Sequence, residues 1–578
     1  MSMIHSPFIP IDQLTRFESD VSSDEDLMEV IVKYSGDVMA VGAALGAFVE
    51  ILDPNYAILT ITLGNLERLY TYDEIEYVEL PKNLTYFLRE ELNNSCISPV
   101  QRPTSFGLTG NGVAIGIIDS GIDYTHADFQ NPDGTTRILF LWDQTVDGNP
   151  PEGFRNGSEF TKAQIDEALA SDSPYEYVPS IDMAGHGTAV AGVAAGNGRS
   201  SDAVEKGVAP NASLIIVKLG HTGSNTSFTR TTEIMRAVKY ISDKAQQVNM
   251  PVVMNISYGT NNGSHDGNSL FESYIDSVSD RWRSCICVAS GNEGTAGHHY
   301  SNFLLQGAVD TVEFSISDNI PRLYMTIWKD FVDTMTFEII SPSGRSTGEI
   351  SPLQRVTRFT LDDVLVAVLY GQPTHYNSLQ EIYILFRGVS KPISAGLWSL
   401  VVRGNDITGG LFDIWLPTLE EVTQYTSFLR PIILNTITIP ATANRVISVG
   451  GYNSSLNSIA DFSGQGTLRN LNFMKPDLVA PAVNILTTRA GGGYDRFTGT
   501  SVAAPFVTGS AALMMEWGLI QGNDPLLYGQ RIKAFLWKGA ERPPLLTFRN
   551  PVWGYGALNL CDTMDLLVDY NQTGGAFS

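Results

Sequence analysis

Continuous apolar runs alternate with helical patterns over two separate stretches of the chain. The runs lie at 113–119, 213–219, 251–257 and 284–290. Strands buried on both faces of a parallel sheet have this character, and the segment 230–248 between two of them has the period of an amphipathic helix. The pattern resumes at 444–453 and continues into a helix that begins near Ser501. It predicts an α/β domain whose parallel sheet is flanked by helices.

A different pattern separates these two stretches. From about 305 to 435 the chain has short runs of alternating apolar and polar residues, divided by turn residues such as those at 341–344. Period-2 alternation with frequent turns is typical of antiparallel sheets. We therefore predict a β-sandwich or jelly roll inserted within the α/β domain.

The N-terminal region has a third pattern. Residues 28–80 read as strand, helix, strand, strand, helix, strand, with a hairpin around Asp53 and a second helix at 65–74. This order is that of the ferredoxin-like βαββαβ fold. A polar connector at about 82–105 joins it to the α/β domain.

Composition narrows the classes of partner. The 578 residues include 37 basic and 62 acidic side chains, for a net charge of −25. A surface this acidic repels phosphate backbones and anionic lipids, so we expect no nucleic-acid or membrane partner, although the charge also serves solubility. The N-terminus lacks the pattern of a secretory signal, and no run is long enough to span a membrane. We expect synthesis in the bacterial cytoplasm and reduced thiols at the four cysteines.

Three reactive side chains stand beside glycines at the ends of predicted elements. Asp119 ends a strand in "IIDSGID", His186 opens a helix in "GHGTAVAG", and Ser501 opens a helix in "GTSVAAP". Each alone has an ordinary structural interpretation, as a turn, a core histidine or a helix cap. Together they supply a hydroxyl nucleophile, an imidazole base and a carboxylate that orients the base.

These three motifs, in this order, resemble those of the subtilisin-like serine peptidases. The resemblance covers about 108–300 and 436–565, and it implies Asp119 as orienting carboxylate, His186 as general base and Ser501 as nucleophile. The segment "VASGNEG" resembles the oxyanion motif of that family and nominates Asn292. The resemblance also implies that substrate binds along Ser257, Tyr258 and Gly259, with a pocket lined by Ser290 and Gly291.

Four details of the expected site stay open at this level. Glu293 is expected at the rim of the pocket, where it would weakly favour basic or polar side chains. Tyr258 either narrows the pocket or serves as core filler. His126, near Asp119 in sequence, is expected to be structural. The segment after the His186 helix departs from the family's calcium loop, so no metal or cofactor is predicted.

Three features resemble the Csp-type subtilases of spore-forming clostridia. They are the lack of a signal peptide, the "WDQT" segment at 142–145 and the β insertion. The resemblance implies a prodomain and processing linker at 1–98, a catalytic domain at 99–304 and 436–578, and a jelly roll at 305–435.

Those relatives process themselves and often keep the cleaved propeptide bound. We accordingly expect a serine endopeptidase that cleaves its own linker within 86–100, around 94–99, and retains the propeptide as a partner. A spore-associated role would be activation of a cortex-lytic precursor during germination. The alternative is a catalytically silent regulator or sensor held shut by its propeptide.

Overall fold

The computed structural model separates the chain into two compact units, Met1–Tyr86 and Phe87–Ser578. The residues it describes are 27–53, 55–69, 71–79, 95–220, 229–281, 283–353, 356–374, 377–422, 425–467, 474–544 and 546–573. Part of the expected processing region, 86–94, lies outside the described residues.

The first unit is a four-stranded antiparallel sheet with two helices. Its elements are β1 (Leu27–Tyr34), α1 (Val38–Leu45), β2 (Phe48–Asp53), β3 (Tyr56–Thr62), α2 (Leu63–Leu69) and β4 (Ile75–Glu79). The strand order is β2-β3-β1-β4. Val30, Val32 and Leu59 of the sheet are buried with Leu66 of α2 in one core. The second helix ends earlier than the predicted range 65–74.

A nine-stranded sheet organises the second unit. Its strands are β5 (Ala114–Asp119), β6 (Ile138–Asp143), β7 (Ser158–Thr161), β8 (Ser213–Lys218), β9 (Val252–Ile256), β10 (Ser284–Ala289), β21 (Ile447–Asn453), β22 (Ser458–Ile459) and β23 (Leu478–Pro481). The order is β22-β21-β10-β9-β5-β8-β6-β7, and β23 also pairs with β21. Strands β10, β9 and β5 are parallel neighbours, so their carboxyl ends meet at one edge.

Helices cover this sheet. They are α3 (Ile97–Gln101), α4 (Lys162–Leu169), α5 (Pro174–Tyr177), α6 (His186–Ala195), α7 (Thr231–Gln247), α8 (Leu270–Ser279), α9 (Thr500–Met515), α10 (Gln530–Gly539) and α11 (Leu560–Gln572). Short turns of 3-10 helix at Ala127–Phe129 and Arg199–Ser201 and a π turn at Glu516–Ile520 complete them, together with a hairpin of β24 (Ile485–Thr488) and β25 (Tyr494–Phe497). Helix α7 begins and ends within a residue of the predicted 230–248.

Two antiparallel sheets form the insertion. Their strands are β11 (His299–Phe303), β12 (Val309–Ile316), β13 (Arg322–Asp330), β14 (Thr334–Ile340), β15 (Val356–Leu361), β16 (Val364–Tyr370), β17 (Leu379–Gly388), β18 (Gly396–Asp406), β19 (Leu411–Trp415) and β20 (Ser427–Phe428). One sheet has the order β11-β19-β13-β17-β16-β15 and the other β14-β18-β12-β20. Residues from both sheets, including Phe314, Phe386 and Trp398, share one buried core. The first strand pairs with β19 and begins before the predicted boundary at 305.

The helix that carries Ser501 runs through the middle of the α/β core. By length and composition, the stretch Thr500–Ile520 is the one candidate for crossing a membrane among the described residues, and 89% of its most apolar window is buried inside the protein. Its apolar surface is therefore taken up by the packing of the domain itself.

The expectation of four reduced thiols is wrong for one pair. Cys96 and Cys561 form a disulfide, with Cα atoms 5.4 Å apart, although 465 positions separate them. Cys285 and Cys287 are free and buried. The bond forms because Cys96 directly precedes α3 and Cys561 lies in the first turn of α11, two helices that pack together. Sequence spacing carries no information on a contact between opposite ends of a chain.

Candidate active site

A short hydrogen bond joins Asp119 to His186. Asp119 is the last residue of β5 and fully buried, whereas His186 is the first residue of α6 with a side chain 35% exposed. Their Nδ1 and Oδ1 atoms are 2.6 Å apart, and the Ser120 N–H donates to the same carboxylate oxygen at 2.7 Å. The charge of Asp119 is the main cause of a raised pKa at His186. With Nδ1 engaged, Nε2 is left to exchange a proton.

A second aspartate, missed in the sequence, fixes the start of the His186 helix. Asp182 Oδ2 accepts hydrogen bonds from the backbone N–H and the hydroxyl of Thr188, at 2.8 and 2.6 Å. Its Oδ1 accepts from the Gly185 N–H and from the Ser120 hydroxyl, at 2.9 and 2.8 Å. These bonds satisfy donors that a helix start leaves free. An acidic residue just ahead of "GHGT" was the available signal, since carboxylates cap helix starts.

Ser501 lies in the first turn of α9. Gly499, which precedes the helix, has a φ of +151°, a conformation open in practice to glycine alone. Pro505 lacks the N–H that would bond to the Ser501 carbonyl four residues earlier. The hydroxyl of Ser257 donates to that carbonyl instead, at 3.0 Å. The proline of "GTSVAAP" thus frees an acceptor that ties the Ser501 turn to the end of β9.

The orientation of the Asn292 amide follows from its neighbours. Its Oδ1 is 3.0 Å from the backbone nitrogen of Thr500 and 3.1 Å from the Thr500 hydroxyl. A backbone N–H can only donate, so the atom facing it must be the amide oxygen. The Nδ2 group makes no hydrogen bond to a described residue. It can donate to an oxyanion together with the Ser501 N–H.

The predicted substrate-binding residues follow the adjacent strands β9 and β10. Tyr258 fits both of its interpretations, because it packs on the hydrophobic core while its ring meets His186 edge-on, with centroids 6.4 Å apart. Ser257 and Ser290 are buried, whereas Gly259 is exposed and Gly291 is half-buried. The structure thus brings Ser257 to the nucleophile and Tyr258 to the base.

Glu293 lies inside the protein, not at the pocket rim as expected. Its side chain accepts hydrogen bonds from His298 Nδ1 at 2.6 Å, Asn261 Nδ2 at 3.0 Å and the Leu419 N–H at 2.9 Å. The carboxylate is 1% exposed. Leu419 lies in the insertion, 126 positions from Glu293, and sequence reasoning could not predict this contact. Glu293 therefore has no free charge to offer a substrate.

His126 has a structural role and lies outside the described site. His126 is 3% exposed, accepts the Asp128 N–H at Nδ1 and contacts the Gly493 carbonyl through Nε2 at 3.0 Å. Both ring nitrogens are thus occupied by structural contacts, as expected. Over the described ranges, no three His, Cys, Asp or Glu side chains come together as metal ligands would.

Comparisons with known proteins agree with this geometry. The Subtilase family matches residues 110–319 and 433–548, and the Csp protease B prodomain matches 10–82. The solved structure of the Clostridium perfringens CspB protease is 38% identical with a TM-score of 0.77, covering 83% of this chain and 98% of that one.

Curated relatives are more distant. The PII-type proteinase of Lacticaseibacillus paracasei is 24% identical over 502 residues, and the minor extracellular protease Vpr of Bacillus subtilis is 25% identical over 438. The matches cover 80% and 71% of this chain but 25% and 46% of those proteins, so the chain spans only a quarter to a half of their length. The chain belongs to the subtilase family of serine peptidases and carries a Csp protease B prodomain.

Proposed function

We propose that this chain is a serine endopeptidase with Asp119, His186 and Ser501 as its catalytic triad. The observation that carries the proposal is the Asp119–His186 hydrogen bond of 2.6 Å, together with a half-exposed serine at the start of α9, a helix that packs on α6. A serine hydroxyl attacks a peptide carbonyl only when a base removes its proton, and the buried carboxylate stabilises the imidazolium that forms.

In the first half of the reaction, Ser501 Oγ bonds to the substrate carbonyl carbon while His186 Nε2 takes the hydroxyl proton. The carbonyl oxygen becomes an oxyanion, to which Asn292 Nδ2 and the Ser501 N–H donate. The C–N bond then breaks, and His186 returns the proton to the leaving amine. In the second half, water loses a proton to His186 and hydrolyses the acyl-enzyme, which regenerates Ser501.

The test is intact-mass analysis of the wild-type chain beside Ser501→Ala. Wild type should give two fragments that sum to the full chain plus one water, and Ser501→Ala a single uncut chain. Peptide hydrolysis should fall about 10⁶-fold in the variant. Ser510→Ala is the matched control, because Ser510 is a buried serine of the same helix whose hydroxyl donates to the Phe506 carbonyl.

Other outcomes have equally definite meanings. If both chains stay whole and neither hydrolyses peptides, the triad is silent and the regulator alternative takes its place. If both are cut alike, another protease made the cut and self-processing is wrong.

We propose further that self-processing occurs before Ser95. From that residue on, the segment is packed: the Ser95 carbonyl accepts the Leu560 N–H, and Gln101 donates to the Gly207 and Val208 carbonyls. Peptide bonds held in this way do not enter an active site. Within the expected window 86–100, the remaining bonds are those up to Asn94–Ser95, and the fragment masses identify which one is cut.

The roles of the other parts follow from the same proposal. We interpret the N-terminal unit as a ferredoxin-like prodomain that acts as a folding template and stays bound after cleavage, since long-range parallel pairing folds slowly. We interpret the insertion as a jelly roll that rigidifies the catalytic domain.

The biological role is an inference from the Csp resemblance. We propose association with the spore and activation of a cortex-lytic precursor during germination. The Cys96–Cys561 disulfide supports a place of action outside the reducing cytoplasm, where such bonds are rare. Disruption of the gene should leave that precursor unprocessed in germinating spores.

A further inference from the structure

Thr438 packs between the two walls of the expected primary pocket, which are the chain segments at Gly259 and at Gly291. A Cβ atom placed on Gly259 would lie only 2.3 Å from Thr438 Oγ1, and one placed on Gly291 only 2.5 Å from Thr438 Cγ2. The Thr438 side chain therefore packs directly against both glycines, and it is 3% exposed. A long substrate side chain that entered between Gly259 and Gly291 would therefore meet this threonine.

The threonine is held there by backbone hydrogen bonds to both walls. Its N–H donates to the Ser290 carbonyl at 3.0 Å. The next residue, Ile439, exchanges two hydrogen bonds of 2.9 Å with Thr260, which follows Gly259. The segment that carries Thr438 thus bridges the walls and cannot retreat to admit a larger group.

The chemistry of the surroundings is polar but without free charge. The Glu293 carboxylate is engaged by His298, Asn261 and Leu419. The Ser290 hydroxyl is buried and has no hydrogen-bond partner among the described residues. Thr438 Oγ1 lies 3.4 Å from the Ser290 carbonyl, a long contact that leaves its hydroxyl weakly bonded.

We propose that Thr438 determines the primary specificity, so that the residue before the cleaved bond is short, polar and uncharged, with Asn favoured over Phe and Lys. The inference rests on the proposed peptidase function. Among the bonds proposed for self-processing, the one between Asn94 and Ser95 would present such a residue to the active site.

The experiment compares peptide nitroanilides that differ only in the last residue, which is Asn, Ala, Phe or Lys. Wild type should hydrolyse the Asn peptide with a kcat/KM roughly tenfold or more above the Phe and Lys peptides. Thr438→Gly should raise kcat/KM for the Phe peptide by roughly tenfold or more and change that for Asn by less than about threefold. For the Phe peptide, the kcat/KM of Thr438→Ser should lie between those of wild type and Thr438→Gly. Thr436→Gly, on the same segment, should leave the order of preference unchanged.

Self-processing gives a second readout in the full chain. Asn94→Phe should slow cleavage before Ser95, and Thr438→Gly in the same chain should restore it. Cleavage of Asn94→Phe directly after residue 94 at the wild-type rate would overturn the proposal, as would equal hydrolysis of the Asn and Phe peptides by wild type.

Labelling with a fluorophosphonate separates this proposal from the proposed function. A wild-type chain whose Ser501 is labelled but whose preference ignores Thr438 refutes only the specificity inference. A chain that is not labelled at Ser501 refutes the peptidase function, and the specificity inference with it.

Discussion

A buried carboxylate of the inserted sandwich and two side chains at the catalytic edge of the α/β region have opposite patterns of hydrogen bonding. In the sandwich, Asp333 accepts hydrogen bonds from three successive backbone N–H groups, 408–410, at 2.7, 2.9 and 2.6 Å. In the α/β region, Asn292 and His186 each have one atom fixed by the protein and a second atom without a partner among the described residues. Asp333 thus has donors on both of its oxygens, while Asn292 and His186 each keep one atom available.

This difference separates stability from function. A buried polar group with all its partners stabilises one conformation, and a group with a missing partner costs free energy unless a ligand completes it. The free atoms of Asn292 and His186 lie at the carboxyl edge of β5, β9 and β10, where a substrate can approach. Variants in the two regions should accordingly affect different measurements.

Among variants that leave the triad intact, the largest loss of activity is expected for Asn292→Ala. Loss of the Nδ2 donor should lower kcat about 10²–10³-fold with little change in KM, because the oxyanion exists only in the transition state. Stability should fall by only about 1 kcal/mol, since the Thr500 N–H loses one acceptor. Asn302→Ala in the sandwich is the matched control and should keep full activity. Equal kinetics for the two variants would rule out the oxyanion role.

Phe386→Ala should lower stability and leave activity almost unchanged, the reverse of the result for Asn292→Ala. Phe386 is fully buried and contacts Phe314 and Trp398, so truncation leaves a cavity that should cost about 3–5 kcal/mol of unfolding free energy. Well below the melting temperature, kcat/KM should stay within about twofold, since no active-site atom is touched. Thermal unfolding measures the loss of stability, and peptide kinetics measure kcat/KM. An unchanged melting temperature would argue against a stabilising role of the insertion.

The smallest effect is expected for Glu420, a residue of the insertion whose charge acts on His186 in the α/β region. The pKa of His186 is raised mainly by Asp119, and the charges of Asp182 and Glu420 add to it. Activity needs a neutral imidazole, so kcat/KM falls as pH drops through this pKa. Glu420 is an exposed residue after β19, and Glu420→Gln should move the acid limb to lower pH, less so at high salt.

Glu313→Gln, elsewhere in the insertion, serves as control and should leave the acid limb in place. An acid limb of kcat/KM that moves to higher pH in Glu420→Gln would contradict the contribution of Glu420 to the raised pKa of His186. The same raised pKa means that ionised His186 favours the folded state. This contribution is present below the ordinary value of 6.5 and is lost as pH rises through the raised pKa.

Local pattern was sufficient for much of the architecture. The strands predicted at 113–119 and 284–290 are observed as Ala114–Asp119 and Ser284–Ala289, because continuous apolar runs between turns permit few alternatives. The second helix of the N-terminal unit was placed too late, since Leu63 continues the apolar pattern of β3 and hides the helix start. Boundaries of this kind depend on packing.

The sequence by itself determined the α/β pattern, the β insertion and the identity of the triad candidates, because each depends on residue types at short spacing. The tertiary structure alone decided the Cys96–Cys561 bond, the burial of Glu293 and the position of Thr438 between Gly259 and Gly291. The longest contacts of these features join residues 126 to 465 positions apart. Short-range periodicity reports which face of an element is buried, but the identity of the neighbour is fixed only when the whole chain has packed.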